Sequence, residues 1–233
     1  MNTKSQNFKE FSKIKLYYVS ALQQLKNEIN IINAEFNALN NINPISYTKT
    51  RLKSVSSIID KLKRRNMEIT IENTFNLHDI VGARIVCNFI DDVYTVVNKI
   101  KSNKKIKVVE EKDYIKCPKQ SGYRGYHIII SDLISVNGIE KEVKSEIQVR
   151  TSAMDFLATS EHRLNYKKTG VDNETQKELK KIANDIWHID LSMNKMANKM
   201  SSNELVMDGV DKGLSAKIIK EIISWRNNNE VFE

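Results

Sequence analysis

The feature that most restricts the fold is an alternating stretch behind a hairpin turn. Asn137-Gly138 is the strongest hairpin signal in the chain, because both residue types accept the positive φ angles of a two-residue turn. Behind the turn, apolar and polar residues alternate between two faces: Val143, Ile147 and Val149 against Lys144, Glu146, Gln148 and Arg150. The pattern predicts two antiparallel strands, near residues 127–133 and 140–151, with one buried and one polar face.

Another strand is predicted where the chain is almost entirely apolar. The run Ile80–Ile90 contains a single charge, Arg84, and follows directly after Asp79. Such a run is typical of a central strand that is buried on both faces. Asp91 and Asp92 then begin a predicted helix, and they suit its first turn, where free N–H groups attract negative charge, better than they suit a metal site.

Helices are predicted on both sides of these strands. Apolar residues recur three or four apart from Phe8 to Leu39, which indicates one long amphipathic helix. Further helices are predicted over about 48–66, 152–166 and 213–227. A helix beginning near Glu174 carries a heptad seam of Leu179, Ile182, Ile186, Ile189, Met193, Met196 and Met200. We expect this seam to pack on the first helix or on another subunit.

Composition narrows the class of protein. No apolar run reaches membrane-spanning length, and residues 1–11 lack the apolar core of a signal peptide. Cys87 and Cys117 have no metal-ligand spacing. We therefore expect a cytoplasmic protein with reduced thiols and no membrane association. A net charge of +8 suits polyanionic partners such as nucleotides or RNA, or serves only solubility.

Two acidic residues are candidates for the chemistry. If the strands that carry Asp79 and Glu146 are neighbours, the two carboxylates share one cleft. Mg²⁺ is usually held by one or two carboxylates together with substrate phosphates, so one acid is suited to hold a metal and the other to act as a base or second ligand. The alternative is an ordinary ion pair of Glu146 with Arg84 or Arg150.

Basic and aromatic residues would complete a nucleotide site. The side chains suited to neutralise a polyphosphate are Arg51, Lys53, Lys61 and Arg84, and arginine also stacks on bases. Tyr123 lies on a turn with two glycines and is placed to stack on a nucleobase. Three alternatives stay open: the basic face is merely solvated, Tyr123 is a half-buried hydrophobic residue, or His127 is a core histidine satisfied by a neighbour.

A series of motifs resembles the synthetase domain of the RelA/SpoT family. They are Asp79-Ile-Val-Gly-Ala-Arg84, Asp113-Tyr114-Ile115, Ser121-Gly-Tyr-Arg-Gly-Tyr-His127, Glu146-Ile-Gln-Val-Arg150-Thr151, Glu161-His162 and Asn165-Tyr166-Lys167. The set is specific, whereas no single motif would be. The resemblance implies a catalytic domain over 47–170, between an N-terminal helical region, 1–46, and C-terminal helices, 171–233. Without a hydrolase signature, the chain resembles a single-domain small alarmone synthetase.

The resemblance implies both a fold and a reaction. The implied fold is α+β, with an α/β nucleotidyltransferase-like core: a mixed, mostly antiparallel sheet flanked by helices, and long helices at both termini. The implied reaction passes pyrophosphate from ATP to the ribose 3′-hydroxyl of GTP or GDP, with GMP as a further candidate acceptor. It yields (p)ppGpp, the alarmone of the stringent response, and AMP. Mg²⁺ is the implied cofactor, with Mn²⁺ as its substitute.

The same resemblance implies roles for individual residues. Asp79 is the implied Mg²⁺ ligand, and Glu146 the general base that also contacts the metal. The residues implied at ATP are Arg51 and Arg84, which sandwich adenine, and Lys53, Lys61 and Arg65, which hold the phosphates, with the register between Arg64 and Arg65 open. The residues implied at the guanine nucleotide are Tyr123, which stacks on the base, and Lys119, His127, Gln148 and Asn165.

The resemblance also leads to an expectation about the oligomeric state, and the sequence leaves two other functions open. Small synthetases of this kind form homotetramers with a guanine alarmone in a central cleft, so we expect a homotetramer here, with Tyr47 and Lys49 near such a cleft. One rival is a regulatory protein that binds single-stranded RNA, although the basic residues are not interleaved with aromatic ones. The other is a toxic relative that pyrophosphorylates tRNA or adenine nucleotides.

Overall fold

The structure is a computed structural model that describes residues 3–39, 43–165 and 173–207. The chain divides into two compact units, residues 1–191 and 192–233. The first unit contains all the described strands, and the described part of the second is the end of the last helix. None of the helices in the described ranges is long and apolar enough to span a membrane.

The described residues form a sheet flanked by helices. The elements in chain order are α1 (Thr3–Leu39), β1 (Ile45–Leu52), α2 (Val55–Arg64), α3 (Ile71–Thr74), β2 (Val81–Cys87), α4 (Ile90–Ser102), β3 (Lys107–Asp113), β4 (Tyr126–Val136), β5 (Ile139–Thr151), α5 (Ser152–Asn165) and α6 (Asn173–Met207). The strand order is β1-β2-β5-β4-β3; β2 and β5 run parallel, and the other neighbours run antiparallel. This mixed, mostly antiparallel sheet confirms the α+β prediction.

The predicted hairpin is confirmed. Asn137 and Gly138 have φ angles of 52° and 77°, the left-handed region that this turn requires. The turn sets the β4–β5 register, in which Val136 pairs with Ile139 and His127 pairs with Gln148. Residues of β5 are buried alternately from Val143 onward, as the sequence predicts, although Arg150 on the polar face is buried as well.

The predicted helix over residues 48–66 is wrong in its first part. Residues 45–52 form β1, an edge strand antiparallel to β2, and helix α2 begins only at Val55. Ser54 separates the two elements, because its side chain accepts the N–H of Ser57 and caps the helix. The register pairs Arg51 with Gly82, so Arg51 lies on the sheet and not on a helix.

Several other predictions from the sequence are confirmed. The long first helix is α1, and the Asp92 carboxylate accepts the N–H of Phe89 at the start of α4, as expected of a cap. Cys87 and Cys117 are both free thiols. The predicted helix over 213–227 lies outside the described residues.

Helices α1 and α4 pack on the sheet and form the core. The buried residues that belong to one apolar cluster include Leu25, Ile29 and Ile32 of α1, Val93, Val97 and Ile100 of α4, and Ile85, Ile128 and Ile147 of the sheet. Alternate residues of a strand point to opposite faces of the sheet. Because Ile147 of β5 faces this core, the even-numbered residues of β5 lie on the opposite face of the sheet.

We expect Ile147→Ala to lower the free energy of unfolding by about 2–5 kcal/mol, because it leaves a cavity in the close-packed core. Ile147 is 0% exposed. Urea denaturation followed by circular dichroism measures the loss. Leu133→Ala on the neighbouring strand is the control, since Leu133 is 64% exposed, and its effect should stay within about 0.5 kcal/mol. Equal stability of the two variants would contradict the assigned core face.

Candidate active site

The parallel pairing of β2 with β5 brings the two acidic residues together. Gly82 is the register partner of Glu146, and Asp79 lies three residues before Gly82. Both carboxylates line the same cleft, as predicted for neighbouring strands. Residues directly opposite each other in a sheet point to the same face. The same face therefore carries Arg84 and His127, which are both partners of Gln148.

The cleft consists of two cavities that share these acids. The larger one, about 550 Å³, is within the usual size of a ligand pocket and is lined by Arg51, Arg84 and Gln148. The smaller one, about 160 Å³, is lined by Lys61, Arg65, Lys119 and His127. Asp79 and Glu146 line both cavities, so they lie at the junction between them.

Asp79 is held by two lysines. Lys53 and Lys61 each place Nζ 2.7 Å from its Oδ2. Burial acts to raise the pKa of Asp79, but the hydrogen bonds and charges of the two lysines outweigh burial and hold the pKa below its usual value. The other oxygen, Oδ1, is buried and has no hydrogen-bond partner among the described residues. Asp79 is therefore ionised at neutral pH and has one oxygen left to bind a ligand.

Glu146 is oriented by two neighbours. His127 Nδ1 lies 3.0 Å from Oε1, and Gln148 Nε2 donates to Oε2 over 2.7 Å. Burial acts to raise the pKa of Glu146, but the hydrogen bond and charge of His127 and the Gln148 bond lower it below the usual value. The carboxylate is therefore ionised near neutral pH and fixed in direction, which is what a general base requires.

The alternative of an ion pair between Glu146 and an arginine is wrong. Arg84 and Arg150 both donate to Asp155 Oδ1, at 3.0 and 3.2 Å. Tyr47 donates its hydroxyl to the other oxygen of Asp155 over 2.8 Å. Asp155 was not predicted as a site residue, although it is an acidic residue in the first turn of α5, five residues after Arg150.

Tyr123 is joined to Glu146 by a ring of hydrogen bonds. Its hydroxyl lies 2.6 Å from His127 Nε2 and accepts Arg150 Nη2 over 3.0 Å. Arg150 also donates to Gln148 Oε1, which closes the ring back to Glu146. His127 lines the smaller cavity, with Tyr123 and Glu146 as partners of its two ring nitrogens, and the half-buried Tyr123 is joined to the cleft through His127. Burial raises the pKa of Tyr123, so the phenol stays protonated at neutral pH.

The other predicted site residues are Arg65, Lys119 and Asn165, and the side chains of the first two are described. Arg65 lines the smaller cavity, whereas Arg64 donates to the Asp60 carbonyl of its own helix. Lys119 lies over the Tyr123 ring, 4.8 Å from its centroid. The side chain of Asn165 lies outside the described residues.

The donor set fits a divalent cation with oxygen ligands. Within 3–39, 43–165 and 173–207 no three His, Cys, Asp or Glu side chains form a metal cluster. Two carboxylates, one with a free buried oxygen, match the way Mg²⁺ is bound when waters and substrate phosphates complete its shell.

Known proteins are similar to this chain over most of its length. Residues 50–171 match the family described as "Region found in RelA / SpoT proteins". GTP pyrophosphokinase YwaC of Bacillus subtilis is 43% identical over 180 residues, 76% of this chain and 86% of that protein. GTP pyrophosphokinase YjbM of the same organism is 31% identical over 206 residues, 88% of this chain and 97% of that protein.

A solved structure of a similar protein has the same fold as this chain. The crystal structure of small alarmone synthetase 1 from Bacillus subtilis bound to its product pppGpp superposes with a TM-score of 0.77 at 31% identity, and the match covers 83% of this chain and 99% of that one. The family match over residues 50–171 contains both Asp79 and Glu146. The chain therefore belongs to the RelA/SpoT family.

Proposed function

We propose that this chain is a GTP pyrophosphokinase. It transfers pyrophosphate from ATP to the 3′-hydroxyl of GTP or GDP and releases (p)ppGpp and AMP. The observation that carries the proposal is the junction of the two cavities, where Asp79 and Glu146 line both. A transfer between two nucleotides needs two adjoining sites with the reacting groups held between them. The two relatives named GTP pyrophosphokinase support the same reaction.

Glu146 is the proposed general base. An alcohol is a poor nucleophile at neutral pH, so a carboxylate that accepts the 3′-hydroxyl proton as the bond forms lowers the barrier. His127 and Gln148 hold one oxygen each, so the carboxylate does not have to reorient when the acceptor binds. The low pKa of Glu146 keeps it unprotonated and ready to accept that proton.

Asp79 and Glu146 would hold Mg²⁺, or Mn²⁺ in its place. The fit rests on Asp79 Oδ1, which is buried beside the larger cavity without a hydrogen-bond partner among the described residues. When bound, the ion would neutralise charge on the phosphates of ATP. Lys53 and Lys61 would orient the same phosphates, because they reach Asp79 from α2 and from the segment before it.

The proposed ligands of the two substrates surround the junction of the two cavities. Arg51 and Arg84 project from neighbouring strands into the larger cavity, where their guanidinium planes are suited to sandwich adenine. Arg65 would join the lysines on the phosphates. The residues proposed for the guanine nucleotide are Tyr123, which would stack on the base, and Lys119, His127, Gln148 and Asn165.

A product assay tests the function directly. Purified protein would receive ATP and Mg²⁺ with GTP, GDP, GMP, an adenine nucleotide or tRNA in separate reactions, and anion-exchange chromatography would resolve the products. We expect AMP and a 3′-pyrophosphorylated guanine nucleotide in equal amounts. Product from tRNA or the adenine nucleotide alone would contradict the proposal and favour the toxic relative.

We expect the protein to be a homotetramer by light scattering, because α6 exposes apolar residues at heptad spacing. Ile182, Ile189, Met193, Met196 and Met200 are 42–64% exposed. Ile189→Glu should lower the mass, since it places a charge within the seam. Asn184→Glu adds the same charge at an exposed position off the seam and should leave the mass unchanged. A monomeric wild type at micromolar concentration would refute the prediction.

A further inference from the structure

We propose that one face of α6 positions the loop that binds the guanine nucleotide, with Ala183 and Trp187 as positioning residues. The loop comprises residues 114–125, between β3 and β4, and carries Tyr123. The inference rests on the proposed function, in which Tyr123 stacks on guanine. It goes beyond that function because it makes guanine-nucleotide affinity depend on a helix outside the cleft.

The first contact is a close approach of helix and loop backbone. Gly122 has a φ of +85°, and a Cβ added there would lie 2.7 Å from the Cβ of Ala183. No ordinary side-chain contact is that short, so the two elements touch without space between them. A glycine in the loop and an alanine on the helix are both needed for this packing.

The second contact involves the residue on the other side of Tyr123. The guanidinium of Arg124 lies 4.1 Å from the ring centroid of Trp187. Its Nη1 also donates to the carbonyl of Ile115 over 2.5 Å. Arg124 therefore connects α6 to the opposite end of the loop, and both chain neighbours of Tyr123 are held by the helix.

The third contact joins α6 to the end of β5. Thr151 Oγ1 donates to Asp190 Oδ2 over 2.6 Å, and both residues are buried. The residue before Thr151 is Arg150, whose guanidinium donates to the Tyr123 hydroxyl. Residues 183, 187 and 190 follow the three- and four-residue spacing of one helix face. One face of α6 thus reaches Tyr123 through both of its neighbours and through Arg150.

The loop needs such support because it has little regular structure of its own. Its internal backbone bonds include Lys119 N–H to Tyr123 O and Gly122 N–H to Lys119 O, at 3.2 and 2.8 Å. Segments with few contacts open at low free energy, and ordering them on ligand binding costs affinity. A helix that holds the loop in place reduces this cost. The effect is selective, because the proposed ATP ligands belong to β1, β2, α2 and the residues that flank α2.

The test compares Trp187→Ala with Trp187→Phe, which keeps an aromatic face for Arg124, and with Asn184→Ala on the exposed side of the same helix. Steady-state kinetics would give KM for GDP and for ATP separately, together with kcat. Hydrogen exchange would report the protection of amides in residues 114–125.

We expect Trp187→Ala to raise KM for GDP about 2- to 30-fold, the range that corresponds to loss of a partly desolvated cation–π contact. KM for ATP should change less than twofold, exchange in the loop should become faster, and Trp187→Phe should restore most of the GDP affinity. Asn184→Ala should match wild type in every measurement.

Unchanged KM for GDP, or an equal rise for both nucleotides, would overturn the inference and leave Trp187 as a packing residue. A wild-type protein that makes no product would instead contradict the proposed function. Hydrogen exchange would still test the inference in that case: unaltered protection of residues 114–125 in Trp187→Ala would refute the support of the loop by α6.

Discussion

Glu146→Gln is expected to lower kcat for pyrophosphate transfer by about 10²–10⁴-fold, the usual contribution of a positioned base. The amide has nearly the shape of the carboxylate but cannot accept the proton of the 3′-hydroxyl. The Gln148 bond to Oε2 can persist, since an amide oxygen accepts the same donor. The loss should therefore appear in kcat far more than in KM for either nucleotide.

Glu142→Gln is the matched control for this variant. Glu142 lies on β5, four residues before Glu146 and on the same face, but it is exposed and accepts a hydrogen bond from Ser131 over 2.6 Å. Its substitution should leave kcat within about twofold of wild type, as expected of a surface residue. Initial rates of AMP release and thermal denaturation of both variants make the comparison. Normal turnover by Glu146→Gln would remove Glu146 from the proposed role of base.

Asp79→Asn is expected to lower turnover by at least about 10²-fold, because a Lewis-acid contact supplies several kcal/mol of charge stabilisation and 1.4 kcal/mol corresponds to tenfold. The amide removes the negative charge that attracts Lys53 and Lys61 and weakens the ligand at Oδ1. Rates measured over a series of Mg²⁺ concentrations should show a weaker apparent affinity for the ion in the variant.

Two controls accompany this experiment. Chelation with EDTA should abolish the wild-type rate, and excess Mg²⁺ should restore it. Asp60→Asn removes an exposed carboxylate from α2, next to Lys61, and should leave the Mg²⁺ dependence unchanged. If Asp79→Asn turned over normally with the wild-type Mg²⁺ dependence, Asp79 would not be a metal ligand.

Much of the site was visible from local patterns. The period-two alternation before Thr151 predicts that Glu146 and Gln148 share a polar face, and Asn137-Gly138 predicts the hairpin that sets their partner His127. These signals are readable because they depend on backbone angles and on residues close in the chain. Local patterns gave a wrong prediction at β1. The helical spacing of apolar residues in α2 continues into this edge strand, which begins at Ile45, so part of the strand was predicted as helix.

Other features depend on residues that are distant in the chain. The parallel pairing of β2 with β5 joins Gly82 to Glu146 and so brings Asp79 to the base. The choice of Asp155 as the partner of two arginines, and of Trp187 as the partner of Arg124, likewise follows from how helices pack on the sheet. The chain alone specified which residues carry charge and which way β5 faces. The partners of these residues could be identified only from the folded structure. An ion pair or a stacking contact depends on distances between atoms of residues that are far apart in the chain, and no local sequence pattern predicts those distances.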